Sequence, residues 1–171
     1  YYTKSGSDIH PELICDVIGV KPPIPADSQK EMFDSVLNDA LSDDCSLDVA
    51  LTIRDTLCEK IAEHKESREP ERAVISQKTV GNILRSAGVK EEKIEAFKEK
   101  YDETFGEHTD LAPQNLVNTR SLDVSMPDVT IKINTDRSDL IGTRVIDGIP
   151  YLVIRAESDI EVNGIPVNIK T

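Results

Sequence analysis

The chain has 171 residues, 38% of them hydrophobic and 30% charged, enough to bury one ordinary core or two small ones. Its formal charge is −12, carried mainly by residues 1–118, where 24 acids face 14 bases, whereas residues 119–171 hold eight acids and six bases. A negative field of this size repels nucleic-acid phosphates and anionic lipid, so either role needs a local basic face, and no stretch approaches the roughly 20 apolar residues of a membrane span.

The pattern of elements begins with a short helix over residues 9–19, with Pro11 just inside it, Leu13, Ile14, Val17 and Ile18 on one face and Gly19 as the stop. Lys21-Pro22-Pro23-Ile24-Pro25 forbids helix and reads as an extended connector. Ser28 with Glu31 forms a capping box for a helix whose apolar stripe is Met32, Phe33, Val36, Leu37, Ala40 and Leu41. A second long helix, capped by Ser46, runs to about Arg68 on Val49, Ala50, Ile53, Leu57 and Ile61. Ser76 starts a third, with Val80, Ile83, Leu84 and Ala87 inward and Gly88 as its left-handed stop. A fourth spans about Glu91 to Thr104, burying Ile94, Phe97, Tyr101 and Phe105 and ending at Gly106.

Beyond Asp110-Leu111-Ala112-Pro113, which can start one helical turn, the apolar period changes from 3.6 to 2. Leu122, Val124 and Met126 alternate, then Val129, Ile131 and Ile133. Asp147-Gly148 lies between the runs Thr143–Ile146 and Ile149–Ala156, and Asn163-Gly164 joins Ile160–Val162 to Ile165–Ile169, both strong two-residue hairpin signals. Pro127, Pro150 and Pro166 belong at strand ends or edges, because each lacks a ladder donor. The run Asp136-Arg137-Ser138-Asp139 reads as a turn or short capped helix, and no internal repeat is evident.

These elements predict an α+β fold, with about four helices in residues 1–118 and a small antiparallel β-sheet with two tight hairpins in residues 119–171, packed as one unit. Cys15, Cys45 and Cys58 are odd in number and lack C-x-x-C spacing, which argues against a disulfide framework or a zinc ribbon and for a reducing, cytoplasmic setting. Cys45, Cys58 and His64 are the nearest approach to a metal-ligand set, but Cys58 and His64 are six residues apart on one helix and point to different faces, so no metal is expected. His10, His64 and His108 fall in polar surroundings, and no nucleophile elbow, H-E-x-x-H, Walker loop or G-x-G-x-x-G is present, so no catalytic residue and no cofactor is named.

One segment reverses the sign of the chain. Between Arg72 and Lys90 there are four bases, Arg72, Lys78, Arg85 and Lys90, and no acid, and the third helix resembles the recognition helix of helix-turn-helix proteins. In that reading Gln77, Thr79 and Asn82 reach base edges while Lys78 and Arg85 meet phosphate. The long polar tip through Pro70 does not match the tight turn of the motif, and residues 91–103 carry six acids against three bases, so an ordinary amphipathic helix is the competing reading.

Several runs also resemble an uncharacterised bacterial domain-of-unknown-function family, number 4317: Glu63-His64-Lys65-Glu66-Ser67, Tyr101 to Gly106, Asn115 to Thr119, Pro127 to Lys132, and Arg137 to Leu140 through Thr143 to Gly148. Members look longer at the N-terminus, which with the absent initiator Met implies that this chain is the C-terminal part of a longer protein. The resemblance brings no activity, ligand or catalytic residue with it. The order of helices and closing β segment is also similar to that of bacterial nucleoid-associated proteins, without a shared residue motif.

Three functions are therefore expected in order. The first is a non-catalytic interaction or regulatory module of a larger cytosolic bacterial protein, its partner an unknown protein or the missing N-terminal region. The second is nucleic-acid association through Arg72–Lys90, and the third an enzyme with an unrecognised carboxylate site.

Overall fold

The computed structural model describes residues 24–67, 71–157 and 160–169; the helix expected over residues 9–19, the start of the proline connector and Pro70 lie outside them. Helix α1 (Ala26–Leu41) starts two residues before the predicted cap at Ser28. Pro25 takes the N-cap position with φ −55°, its carbonyl accepts from Gln29 N at 3.0 Å, and the Gln29 side chain donates to Ile24 O at 2.8 Å, so the connector itself starts the helix. Helix α2 (Leu47–Ser67) keeps its expected cap, Ser46 Oγ accepting from Val49 N at 3.3 Å. Helix α3 (Gln77–Ser86) is capped by Ser76 Oγ, and Gly88 follows it at φ +83°, a conformation in which a Cβ is penalised. Helix α4 (Glu91–Phe105) ends at Gly106.

The apolar stripes of the four helices meet in one cluster that includes Phe33, Leu41, Leu57, Val80, Leu84, Ile94, Phe97 and Tyr101. Its aromatic spine runs from Phe33 edge-on to Phe97 at 6.4 Å, on to Tyr101 at 5.7 Å and to Phe105 at 4.9 Å, within the range where aromatic pairs add to their area burial. Tyr101 satisfies its hydroxyl by donating to Thr109 O at 2.9 Å, and burial pushes the phenol well above its ordinary pKa. A two-bond bridge between Ile75 and Leu111 ties the entry of α3 to the loop after α4, which a short 3₁₀ turn (Pro113–Asn115) then closes onto α1 and α2.

The fold is α+β, and its β part consists of three separate two-stranded antiparallel ribbons instead of one small sheet. Strands β1 (Ser121–Met126) and β2 (Val129–Asn134) pair first, a 3₁₀ segment (Thr135–Leu140) follows, then β3 (Ile141–Ile146) pairs with β4 (Ile149–Ile154) and β5 (Ile160–Val162) with β6 (Ile165–Val167). Both expected tight turns form, with positive φ at Asp147, Gly148, Asn163 and Gly164, the signature of type I′ turns. The third turn, Pro127-Asp128, lacks positive φ and was not singled out by its residues.

The three ribbons share a plan that corrects the expectation of no internal repeat. Each runs apolar, two turn residues, apolar, Thr or Pro, apolar: Met126 to Ile131, Ile146 to Tyr151, and Val162 to Val167. The likeness is one of pattern rather than identity.

The ribbons join the helices through a second, smaller core. Leu122, Ile133 and Ile141 are buried there against Leu47 and Leu51 of α2, with Val124, Ile131 and Leu152 partly covered. Beside it lies a polar seam: Arg54, 8% exposed, donates to Asp55 Oδ1 at 2.7 Å and to Thr135 Oγ1 at 3.1 Å, Asp55 Oδ2 accepts from Ser138 Oγ at 2.9 Å, and Thr135 donates to Thr119 O at 2.9 Å. A buried cation with this many partners fixes where the 3₁₀ segment sits on α2.

Candidate functional site

The segment proposed to read nucleic acid is largely occupied with its own helix and its neighbour. Gln77 donates through Nε2 to Lys98 O at 2.8 Å and is half-buried, and Thr79 closes the cap with Ser76. Arg85 grips Glu91 with two donors, Nε to Oε2 at 3.0 Å and Nη2 to Oε1 at 2.5 Å, and its Nη1 is accepted by Asn82 Oδ1. That pairing holds the Glu91 carboxyl below its ordinary range, through the Arg85 hydrogen bond first, and neutralises the guanidinium. Of the two bases among the five, Lys78 is exposed and without an ion pair among the described residues. Residues 71–76 ahead of α3 are non-helical and by themselves already exceed the tight turn of a helix-turn-helix unit.

Cys15 and His10 lie outside the described residues, and among those described the other candidate groups stay apart. Cys45 is exposed ahead of α2 and Cys58 half-buried on it, and partial burial raises the pKa of both thiols. Among the described residues no three His, Cys, Asp or Glu side chains converge as a metal set. An open groove of about 420 Å³ between α1, α2 and β1 is lined by Phe33, Leu37, Ile53, Leu57 and Leu122, with Arg54 at its edge. Arg54 itself was legible in principle, since it precedes Leu57 by three residues and Ile61 by seven on the buried stripe of α2, from which the expected Ala50 is turned away and exposed.

The feature that residue-by-residue reasoning passed over is the apolar surface of the ribbons. Eleven of the twelve large hydrophobic side chains left exposed among the described residues lie between Met126 and Ile169, and Val145 reaches 73% exposure. Monomeric proteins rarely display contiguous apolar patches of this kind without a use for them. The register shows why covering one face is insufficient: Ile141, Val145, Leu152 and Ile154 share one face of the β3–β4 ribbon, and Ile146, Ile149, Tyr151 and Val153 share the other. Six consecutive apolar residues, Ile149 to Ile154, were the available signal, because an unbroken run marks a strand that wants cover on both sides. Among the described residues, no helix is long and apolar enough to cross a membrane.

Residues 1–165 match a family described as Domain of unknown function (DUF4317), which covers the helical core, the first two ribbons and the turn of the third. The chain belongs to this family. No curated protein and no solved structure matches it. The DUF4317 match thus takes in both the basic α3 segment and the apolar β3–β4 ribbon, and the choice between them rests on their own chemistry.

Proposed function

We propose that the chain is a non-catalytic interaction module of a cytosolic protein and that its β ribbons form the surface that meets the partner. The observation that carries the proposal is the concentration of exposed apolar side chains on both faces of β3–β4 and on β5–β6, flanked by strand edges with no partner among the described residues. Local charge supports it: residues 141–154 hold one base, Arg144, and one acid, Asp147, so this surface escapes the negative field of the helices. The nucleic-acid reading has less support, because Arg85 spends its guanidinium on Glu91 and α4 beside it is acidic.

The two readings separate in one capture experiment with the full chain, nuclease-treated and untreated lysates being compared. Proteins that survive nuclease and are retained by the parent and by Lys78→Glu/Arg85→Glu, but lost with Val145→Lys/Ile149→Lys, support the ribbons as the interaction surface. Capture indifferent to the ribbon substitutions, yet abolished by nuclease and by the α3 substitutions, would overturn that assignment.

A further inference from the structure

We infer that the occupant of the β3–β4 ribbon is a second copy of this chain, paired antiparallel along the outer edge of β3. The inference rests on reading the ribbons as an interaction surface and adds the identity of what they meet.

The two edges of the ribbon differ. In a two-residue hairpin the pair flanking the turn exchanges both hydrogen bonds and the next pair exchanges none, its amide positions facing outward. Ile146 and Ile149 flank the turn, so Val145 and Pro150 form the second pair. Pro150 has no donor to offer, which blunts the outer edge of β4. On β3 the outward amides belong to Thr143 and Val145, both exposed, with no proline or lysine to guard them and no hydrogen-bond partner among the described residues. The outer edge of β4 thus lacks a donor at its exposed tip, although Leu152 keeps its own, whereas the outer edge of β3 keeps both.

A lone two-stranded ribbon is marginal in water, and three or more strands are needed before a sheet supports itself. The base of this one is anchored by Ile141 against α2, but Thr143 to Tyr151 stand exposed. Joining two β3 edges makes a four-stranded sheet.

Charge and register favour a second copy. Each chain carries −12, so two copies meet at least cost where the surface is neutral, as residues 141–154 are. Pairing centred on Val145 sets the two Val145 side chains opposite one another and Arg144 across from Ile146 of the second copy, next to that copy's Asp147. Centring on Arg144 would oppose two like charges, and centring on Thr143 would drive Val145 against Ile141, already buried beside α2. The open edge is therefore self-complementary in one register.

Sedimentation equilibrium of the full chain tests this directly. A mass of twice 19.0 kDa is expected at micromolar concentration. Val145→Lys and Val145→Glu each set like charges opposite one another and weaken the dimer on the order of 100-fold, whereas their equimolar mixture restores it, since Lys then faces Glu. Recovery on mixing also excludes misfolding as the cause of dissociation. A parent chain that stays monomeric, a dimer untouched by either substitution, or a mixture that fails to reassociate would each overturn the second-copy assignment. A monomeric parent that still loses captured proteins through Val145→Lys/Ile149→Lys would leave the interaction surface standing and remove only its self-pairing.

Discussion

Between Ala26 and Leu116 four helices close around a cluster of eighteen buried side chains, whereas the strands that follow share a cluster of three, Leu122, Ile133 and Ile141. The contrast follows from geometry. A helix with one apolar stripe needs cover on one side, and four such stripes cover each other. A two-stranded ribbon with apolar side chains on both faces needs two covers, and α2 supplies one, at the base only. Among the described residues the helical stripes cover one another, while the ribbons are anchored at one end and leave much of both faces exposed.

The sharpest way to break that comparison is to damage each part and compare the cost. Phe97→Ala removes a fully buried ring from the aromatic spine and is expected to destabilise the protein by about 3–5 kcal/mol, read from the midpoint of chemical denaturation. Val145→Ala should fall within about 0.5 kcal/mol of the parent under conditions where the chain is monomeric. Comparable costs for the two would show that the ribbon tip is as well packed as the core.

A smaller effect is expected where the two regions join. Arg54→Ala withdraws two donors from Asp55 and Thr135, although Asp55 keeps Ser138 and is partly solvated. The expected loss is about 1–3 kcal/mol, accompanied by faster proteolysis within residues 135–140. Unchanged cleavage of that segment would mean that Leu122, Ile133 and Ile141 hold the ribbons without the seam.

These effects also mark what could be read from the chain beforehand. The helices were legible because their evidence is local: stripes at 3.6-residue spacing, Ser46 and Ser76 as caps, Gly88 and Gly106 as stops. The start of α1 was misplaced because Ser28 offered a capping box, whereas the helix begins directly after Pro25 with no side-chain cap. Asp147-Gly148 and Asn163-Gly164 announced their turns for the same local reason. Whether adjacent hairpins merge into a sheet depends on contacts between distant residues, which no short motif encodes, and so one sheet was expected where three ribbons form. The α3 candidates Gln77 and Arg85 looked free because their partners, the Lys98 carbonyl and the Glu91 carboxylate, belong to the next helix, and Asn82 is engaged in turn by Arg85.

The third prediction uses a legible turn to test the independence of the ribbon. Gly148 has φ +79°, and Gly148→Val should cost on the order of 1–2 kcal/mol, since a β-branched residue resists that conformation. Because the tip carries little of the core, the loss should appear locally: amide exchange accelerates over residues 141–154 while protection in α2 and α4 is retained. Equal loss of protection in helices and ribbon would show a single cooperative unit and erase the distinction drawn above.

The smallest expected effect concerns the base of the β3–β4 ribbon and its dependence on pH. Arg137 donates to Asp139 at 3.1 Å and to Glu157, and Arg155 donates to Glu157 at 2.7 Å and to Asp139, making a four-membered ring of ion pairs around the Arg155 N to Leu140 O hydrogen bond at 2.7 Å. The hydrogen bonds from Arg137 hold both carboxyls below their ordinary pKa, with Arg155 adding to the effect. A folded pKa below the unfolded one means that the contribution is fully present above the unfolded value and is lost as pH falls through the folded one. All four side chains are well exposed, so solvent screens the gain and global melting should scarcely register it. The amide of Arg155 is the sensitive reporter: its protection factor relative to α4 should decline as pH drops below the ordinary carboxylate range. Arg137→Gln removes two of the donors and should flatten that decline. Identical pH profiles in the parent and Arg137→Gln would mean that the ring adds nothing to the anchoring of the ribbon, leaving Ile141 and the Arg54 seam to hold it.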